Sequence, residues 1–222
     1  MRRYGTTNPA TMVVWLHGNV SSGGSANAHF RIAQKAATDF AAENVLAVAL
    51  VRPGYPDGTG ESSSGNDYGR ADNWPRETIA EIGTVIERLR LKYKPGAVII
   101  VGHSGGAAIT AVLLGMKPRL ADAAILVACP CDVVAWRSGR KGPPWVSENP
   151  MQWVDSVSPA TKVIALTGSR DNTTVPELGR TYVKGLKARG IDAVFQIAPD
   201  AGHIDVLGSL AVSDAIARLL RR

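Results

Sequence analysis

Val98-Ile99-Ile100-Val101-Gly102-His103-Ser104-Gly105-Gly106 carries an apolar run into Gly-x-Ser-x-Gly, after which Ala107, Ala108, Ala111 and Val112 continue at helical spacing. The run reads as a buried parallel strand, and the segment from Gly105 onward as a small-residue helix able to lie close against a sheet. A sharp turn must join the two. Glycines at 102 and 106 remove side chains that would collide where strand and helix approach, and the turn holds the Ser104 hydroxyl in the open. The helix points its amino end at that hydroxyl, so the Gly105 amide is available to a developing negative charge. In a Gly-rich chain the same pattern also arises by chance as an ordinary strand-to-helix turn. Its meaning therefore rests on partners elsewhere.

Outward from this stretch, apolar runs and helical repeats alternate. Residues 12–16 form a strand that ends in His17-Gly18-Asn19-Val20-Ser21-Ser22-Gly23-Gly24, a loop suited to close backbone approach. Ala26, Phe30, Ala33, Ala37 and Phe40 mark a helix, and residues 45–51 a second strand. The helix opened by Pro75 carries Ile79, Ile82, Ile86 and Leu89 in phase and stops at Lys94-Pro95-Gly96. Strands over 123–128, 162–167 and 193–198 come next, with helices after Pro176 and through Val212, Ile216 and Leu219. This alternation predicts an α/β fold: one domain over residues 1–222, built on a mainly parallel six-stranded sheet with helices on both faces.

Two stretches break the pattern. Residues 52–73 are rich in Gly, Ser and Pro, and residues 129–161 combine prolines with Trp136, Trp145 and Trp153 without a sustained period. Loops of that length usually serve a site. The second is either a lid-like insertion or an irregular surface loop anchored by its tryptophans.

At 222 residues, with 45% apolar and 20% charged side chains, the chain can bury one sizeable core. The net charge of +6 comes from scattered basic residues, clustered only at 137–141 and 218–222, so a solvated basic surface is expected and no nucleic-acid partner. No run approaches the roughly 20 apolar residues of a spanning helix, and no export signal follows Met1-Arg2-Arg3, which together predict a cytoplasmic protein. A start lying further upstream would reopen export. Cys129 and Cys131 flank Pro130, where a bridge across one residue would be strained, so buried free thiols are expected. No metal and no cofactor is expected, and the oligomeric state is left open.

Ligands of an open α/β sheet lie beyond the carboxyl ends of its strands. Ser104 leaves the elbow strand there, Asp171 leaves the strand over 162–167 through Gly168-Ser169-Arg170, and His203 leaves the strand over 193–198 through Pro199-Asp200-Ala201-Gly202. Three distant side chains thus converge on one edge. Asp200 and Asp205 also flank His203, but each would have to fold back on its own loop to meet the imidazole, which favours Asp171.

On these residues the chain from Met12 onward resembles the α/β-hydrolase superfamily. The likeness is carried by His17-Gly18, Gly102-His103-Ser104-Gly105-Gly106, Gly168-Ser169-Arg170-Asp171 ahead of Val175-Pro176, and Gly202-His203, in the chain order serine, acid, histidine. The half from Ser158-Pro159 onward is also similar to prolyl-oligopeptidase-type hydrolases. The resemblance implies Ser104 as nucleophile, His203 as general base and then acid, and Asp171 as the group that orients the imidazole. It implies an oxyanion hole made by the amides of Gly105 and Asn19, with His17, Gly18, Gly102 and Gly106 as structural support. The implied activity is a serine hydrolase acting on a small to medium carboxylic ester through an acyl-enzyme; peptide or amide hydrolysis and acyl transfer are its rivals. A non-catalytic binding module on the same fold is the alternative from another class, and the intact Ser104, Asp171 and His203 argue against it. The partner is then a small-molecule ester or a peptide-like substrate.

The superfamily usually opens with two further strands, whereas eleven residues precede Met12, so a minimal sheet is expected. His17 is expected to brace its loop rather than react, His103 to face away from the base, and His29 to sit on a helix surface. Asp57, Asp67 and Asp72 read as solvated or capping residues.

Overall fold

Each apolar run becomes a strand and each helical repeat a helix in the computed structural model, which describes residues 1–70, 73–138 and 146–221. The strands are β1 (Arg2–Gly5), β2 (Thr11–Leu16), β3 (Val45–Leu50), β4 (Ala97–His103), β5 (Ala123–Val127), β6 (Lys162–Gly168) and β7 (Ala193–Ala198). The helices are α1 (Ala28–Asp39), α2 (Arg76–Tyr93), α3 (Gly105–Met116), α4 (Val133–Arg137), α5 (Pro176–Ala188) and α6 (Leu210–Leu220).

The sheet has seven strands in the order β1-β3-β2-β4-β5-β6-β7, one more than the sequence suggests. The added strand is β1, antiparallel to β3 with Arg2 opposite Ala49; every other pairing is parallel. Arg2-Arg3-Tyr4-Gly5 offers no apolar run to announce it, since a short edge strand has solvent on its flank and profits from charge there. From β2 the chain first moves to β3 on one side, then returns to β4 on the other. The crevice between the ends of β2 and β4 is therefore the switch point where such sheets bind ligands.

The strands are apolar almost throughout because both faces are covered. Met12, Val14, Leu16, Val98 and Ile100 face the layer of α2, α3 and α5, whereas Val13, Trp15, Ile99 and Val101 face α1 and α6, in the two-residue alternation of a pleated strand. Ile100 is fully buried, so its truncation to Ala costs about 2–5 kcal/mol. Within residues 129–161, a 3-10 segment (Pro150–Ser156) packs against α3 and α5, and α4 contributes Val133 and Trp136 to the same buried core, with Trp153 against it. Arg140, Lys141 and Trp145 lie outside the described residues, as does Asp72. Among the described residues no helix is long and apolar enough to cross a membrane.

Two expectations are corrected by the fold. Cys129 and Cys131 are joined in a disulfide rather than free: left-handed Ala128 (φ 49°) and Pro130 bend the chain until the two Cα atoms are 5.0 Å apart. His29 is buried rather than on the surface, because it shares a helix face with Ala33, Ala36 and Ala37 and its Nε2–H donates to the Leu50 carbonyl at 2.8 Å.

Burial lowers the pKa of His29 to about 4, although its bond to Leu50 pulls the other way. The unfolded chain then binds a proton that the folded chain refuses as pH falls below 6.5, so folding free energy declines between about pH 6.5 and pH 4. Urea unfolding at pH 7 and pH 5 should show a clear loss for the native chain and a smaller one for His29→Gln. Equal losses would remove His29 from the account.

Candidate active site

Ser104 joins β4 to α3 with φ 51° and ψ −121°, a conformation that costs roughly 1–3 kcal/mol for a residue carrying a side chain. Its neighbours enforce it. The Ser104 N–H donates to the Val127 carbonyl at 2.9 Å, and its own carbonyl accepts from the amides of Ala107 and Ala108 at 2.9 and 3.1 Å. A Cβ on Gly106 would run into the carbonyl oxygens of Leu16 and His17, the latter at 2.6 Å, so only glycine lets α3 come this close to the end of β2. From the opposite side, a Cβ on Gly18 would stand 2.8 Å from the Cβ of Ser104.

The three side chains expected to converge do so. His203 Nε2 accepts from Ser104 Oγ at 3.0 Å, and its Nδ1–H donates to Asp171 Oδ2 at 2.9 Å. Asp171 is buried, and its Oδ1 accepts from the amides of Thr173 and Thr174 at 2.8 and 2.9 Å. Thr174 Oγ1 donates to Oδ2 at 2.7 Å and lies 3.1 Å from His203 Nδ1. Burial pushes the Asp171 carboxyl up, but the bonds from His203 and Thr174 outweigh it and hold the group below the ordinary carboxylate range. Asp205 does bind its own loop, accepting from the Gly202 amide at 3.0 Å, and the Asp200 carbonyl accepts from Arg170.

The remaining histidines build the frame. His17 Nδ1–H donates to the Gly18 carbonyl at 2.7 Å while its Nε2 accepts from the Arg52 amide at 2.9 Å, so the ring is neutral and braces the loop after β2. Burial drives its pKa well below 6.5, with the charge of Arg52 adding to the shift. His103 does not face away from the base. Its ring centroid lies 5.2 Å from that of His203, and its Nε2–H donates to the His203 carbonyl at 2.7 Å, because the β7–α6 loop crosses directly over the elbow. Burial lowers its pKa to about 4.

Asn19 is held by its side chain. Its Oδ1 accepts from Arg52 Nη1 at 2.8 Å, Tyr55 OH at 3.3 Å and Trp74 Nε1 at 3.5 Å, and its Nδ2 donates to the Arg70 carbonyl at 3.3 Å. A Cβ on Gly105 would lie 2.9 Å from the Trp74 ring, and Trp74 stacks on Trp136 at 6.0 Å, whose Nε1–H donates to the Thr173 carbonyl at 2.8 Å. Sequence reasoning passes over Arg52, Trp74 and Thr174. The first two stand at the ends of an unpatterned loop; Thr174 carries a weak signal, as an Asp followed within three residues by Thr often closes an Asx turn. In the long loop, Asp57 accepts from the amide and hydroxyl of Thr59, and Asp67 from the Gly69 amide and Arg70 Nε, which are turn and capping roles. Among the described residues no three His, Cys, Asp or Glu side chains gather as metal ligands.

The strand order, the helices on both faces and a serine elbow at the switch point define an α/β-hydrolase. Residues 53–221 match the model of the prolyl oligopeptidase family, and the chain belongs to that family: it is a serine hydrolase. Among curated proteins none matches the sequence significantly. Solved structures similar to it include Est1E from Butyrivibrio proteoclasticus with ferulic acid bound, at 15% identity and TM-score 0.71 over 99% of this chain and 93% of that one. Esterase PE8 is similar at 18% identity and TM-score 0.67 over 99% and 97% of the two chains. The Pyrococcus furiosus esterase Pf2001 is similar at 16% identity and TM-score 0.63 over 96% and 82%. At such identities the likeness is one of fold.

The hydrogen-bond chain ranks the acids. Asp171→Asn should lower turnover of an activated ester by about 10⁴. Thr174→Val removes one donor from a buried carboxylate and should cost about tenfold. Asp205→Asn should cost less than that. Steady-state rates on p-nitrophenyl acetate, with folding followed by circular dichroism, check the order; near-native turnover in Asp171→Asn would reverse it.

Proposed function

We propose that the protein hydrolyses a small to medium carboxylic ester through an acyl-enzyme. The observation that carries this reading is the unbroken hydrogen-bond path from Ser104 Oγ through His203 to the buried Asp171, at the amino end of α3. Ser104 Oγ attacks the carbonyl carbon while its proton passes to His203 Nε2, and Asp171 stabilises the imidazolium that forms. The carbonyl oxygen becomes an oxyanion facing the amides of Gly105 and Asn19. Gly105 opens α3, whose first amides lack intrahelical acceptors. A single such donor contributes about 3–4 kcal/mol to transition-state stability in comparable sites. Collapse breaks the ester C–O bond, and the leaving alkoxide takes the proton from His203. Water then repeats the attack with His203 as base and frees the acid.

The three similar structures that carry the name esterase, or hold an aromatic acid, support an ester substrate. Family membership supports peptide or amide hydrolysis as a second reading. The described part of residues 129–161 enters the proposal as a lid-like wall, since Trp136 stacks on the Trp74 that covers Gly105. A cytoplasmic location is the weaker part of this reading, because the Cys129–Cys131 disulfide is of a kind that persists mainly in oxidising compartments.

A fluorophosphonate should label the native protein one-to-one and leave Ser104→Ala unlabelled while its fold persists, because glycines and backbone hold the turn. Full labelling of Ser104→Ala would remove it as nucleophile. Against a panel of esters and aminoacyl amides, kcat/KM should favour the esters. A preference for the amides would replace the ester reading by the peptidase one.

A further inference from the structure

Residues 52–70 hold little regular structure of their own, yet they are fastened along the loop after β2. The Arg52 amide donates to His17 Nε2 at 2.9 Å and Arg52 Nη1 to Asn19 Oδ1 at 2.8 Å, with Tyr55 OH donating to the same oxygen at 3.3 Å. Further on, the Pro56 carbonyl accepts from the Ala26 amide at 2.8 Å, and Arg70 Nη1 donates to the carbonyls of Val20 and Gly24 at 3.2 and 2.9 Å. The Arg70 carbonyl accepts from Asn19 Nδ2 at 3.3 Å. Arg52 and Tyr55 are 3% and 1% exposed, and the guanidinium carbon of Arg52 lies 5.1 Å from the centre of the Tyr55 ring. The long segment is thus a strap along the loop that carries Asn19.

The strap grips one side chain above all. Asn19 is held at both ends of its carboxamide, so residue 19 cannot turn without breaking its bonds to Arg52 and Arg70. The bond from Arg52 is the shortest of these and has an ionised donor, which makes it the strongest. The charge of Arg52 is felt in the loop itself: after burial, it is the largest influence that lowers the His17 pKa. The acceptor that meets the guanidinium is a neutral amide oxygen. A carboxylate there would offset that charge and stand an anion on the residue whose N–H faces the oxyanion in the proposed mechanism. Trp74 links this grip to the elbow, with its Nε1 3.5 Å from Asn19 Oδ1 and its ring 2.9 Å from where a Cβ on Gly105 would lie.

We propose that Arg52 is a positioning residue of the reaction: through Asn19 Oδ1 it aims the Asn19 amide at the oxyanion. The inference rests on the acyl-enzyme reading of Ser104 and His203, with the amides of Gly105 and Asn19 as oxyanion donors. When Ser104 Oγ bonds to the carbonyl carbon, its proton goes to His203 Nε2 and the electron pair of the C=O π bond moves onto oxygen. An amide already fixed in place stabilises that charge without reorganisation, whereas one on an unbraced loop must be ordered during the step. The effect belongs to the tetrahedral state. Binding of a trigonal carbonyl, which carries no full charge, does not depend on it.

Arg52→Met keeps the backbone N–H that binds His17 and removes the charged donor. Asn19→Ala removes the acceptor at a half-buried loop position and keeps its own amide. Two competitive inhibitors separate the states: 1,1,1-trifluoro-4-phenylbutan-2-one, to which Ser104 Oγ adds to give a hemiketal oxyanion, and 4-phenylbutan-2-one, which binds as the trigonal ketone. Each variant should lose about ten- to hundredfold both in kcat/KM for p-nitrophenyl acetate and in affinity for the trifluoro ketone, no more than follows removal of an oxyanion donor itself. Affinity for the plain ketone should stay within about twofold of native, as expected for an interaction made only in the tetrahedral state. The double variant should lose no more than the more impaired single, because both changes cut one bond. Equal weakening of both ketones, unchanged affinity for the trifluoro ketone, or additive losses in the double variant would each overturn the role of Arg52. Circular dichroism checks the fold, and if Arg52→Met does not fold, Asn19→Ala puts the same bond to the two-ketone test. Fluorophosphonate labelling separates the two levels of the argument. A native protein that labels, beside variants with native affinity for both ketones, sinks the positioning role alone, whereas a native protein that does not label sinks the acyl-enzyme reading beneath it.

Discussion

The carboxyl edge of the sheet depends on the approach of α3 to the ends of β2 and β4. Where Gly106 meets the carbonyl oxygens of Leu16 and His17 there is no room for a side chain. That contact fixes the first turn of α3, which leaves Ser104 no conformation but a left-handed one. The strain is sustained because the surrounding bonds, from Val127 on one side and Ala107 and Ala108 on the other, cannot all be kept if the turn relaxes. The same contact ties the elbow to the loop after β2, so the serine and the candidate oxyanion donors are packed into one body.

Around this body the protein manages charge by burial. His17, His29 and His103 occupy the end of the sheet as neutral rings, each spending a ring nitrogen on a backbone carbonyl. They position loops without placing cations beside the reacting centre. Asp171 is the counterpart: buried, yet kept ionised by two amides, a hydroxyl and His203. In the proposed mechanism, an imidazole that gains a proton during attack finds its stabilising charge already in place, with no reorganisation required.

Much of this is legible in the chain alone. The strands β2 to β7 follow from apolar runs because a sheet covered on both faces admits few polar residues. The elbow follows from two glycines around a serine, and Asp171 and His203 follow from their position just past strand ends. The β1 strand is not legible, since four residues with arginines at an edge carry no period. The burial of His29 escapes the pattern because its neighbours on the helix face are alanines, which mark a buried stripe only faintly. The Cys129–Cys131 bond escapes it because a left-handed Ala128 is not a residue-type signal at all.

By itself the sequence determined the class of fold and the three side chains at its edge, for a physical reason: burial and steric fit are written in residue types at short range. Alternation of strand and helix, and glycine where backbones touch, need no knowledge of distant partners. Only the tertiary structure decided what those residues lean on. That Thr174 shares Asp171 with His203, that Asn19 is clamped by Arg52, Tyr55 and Trp74, and that His103 holds the backbone of His203 are contacts fixed by the folded arrangement of loops and strands. Such pairings are set by strand order and loop crossing. Hydrogen-bond partners that meet only after the sheet has closed leave no pattern along the chain.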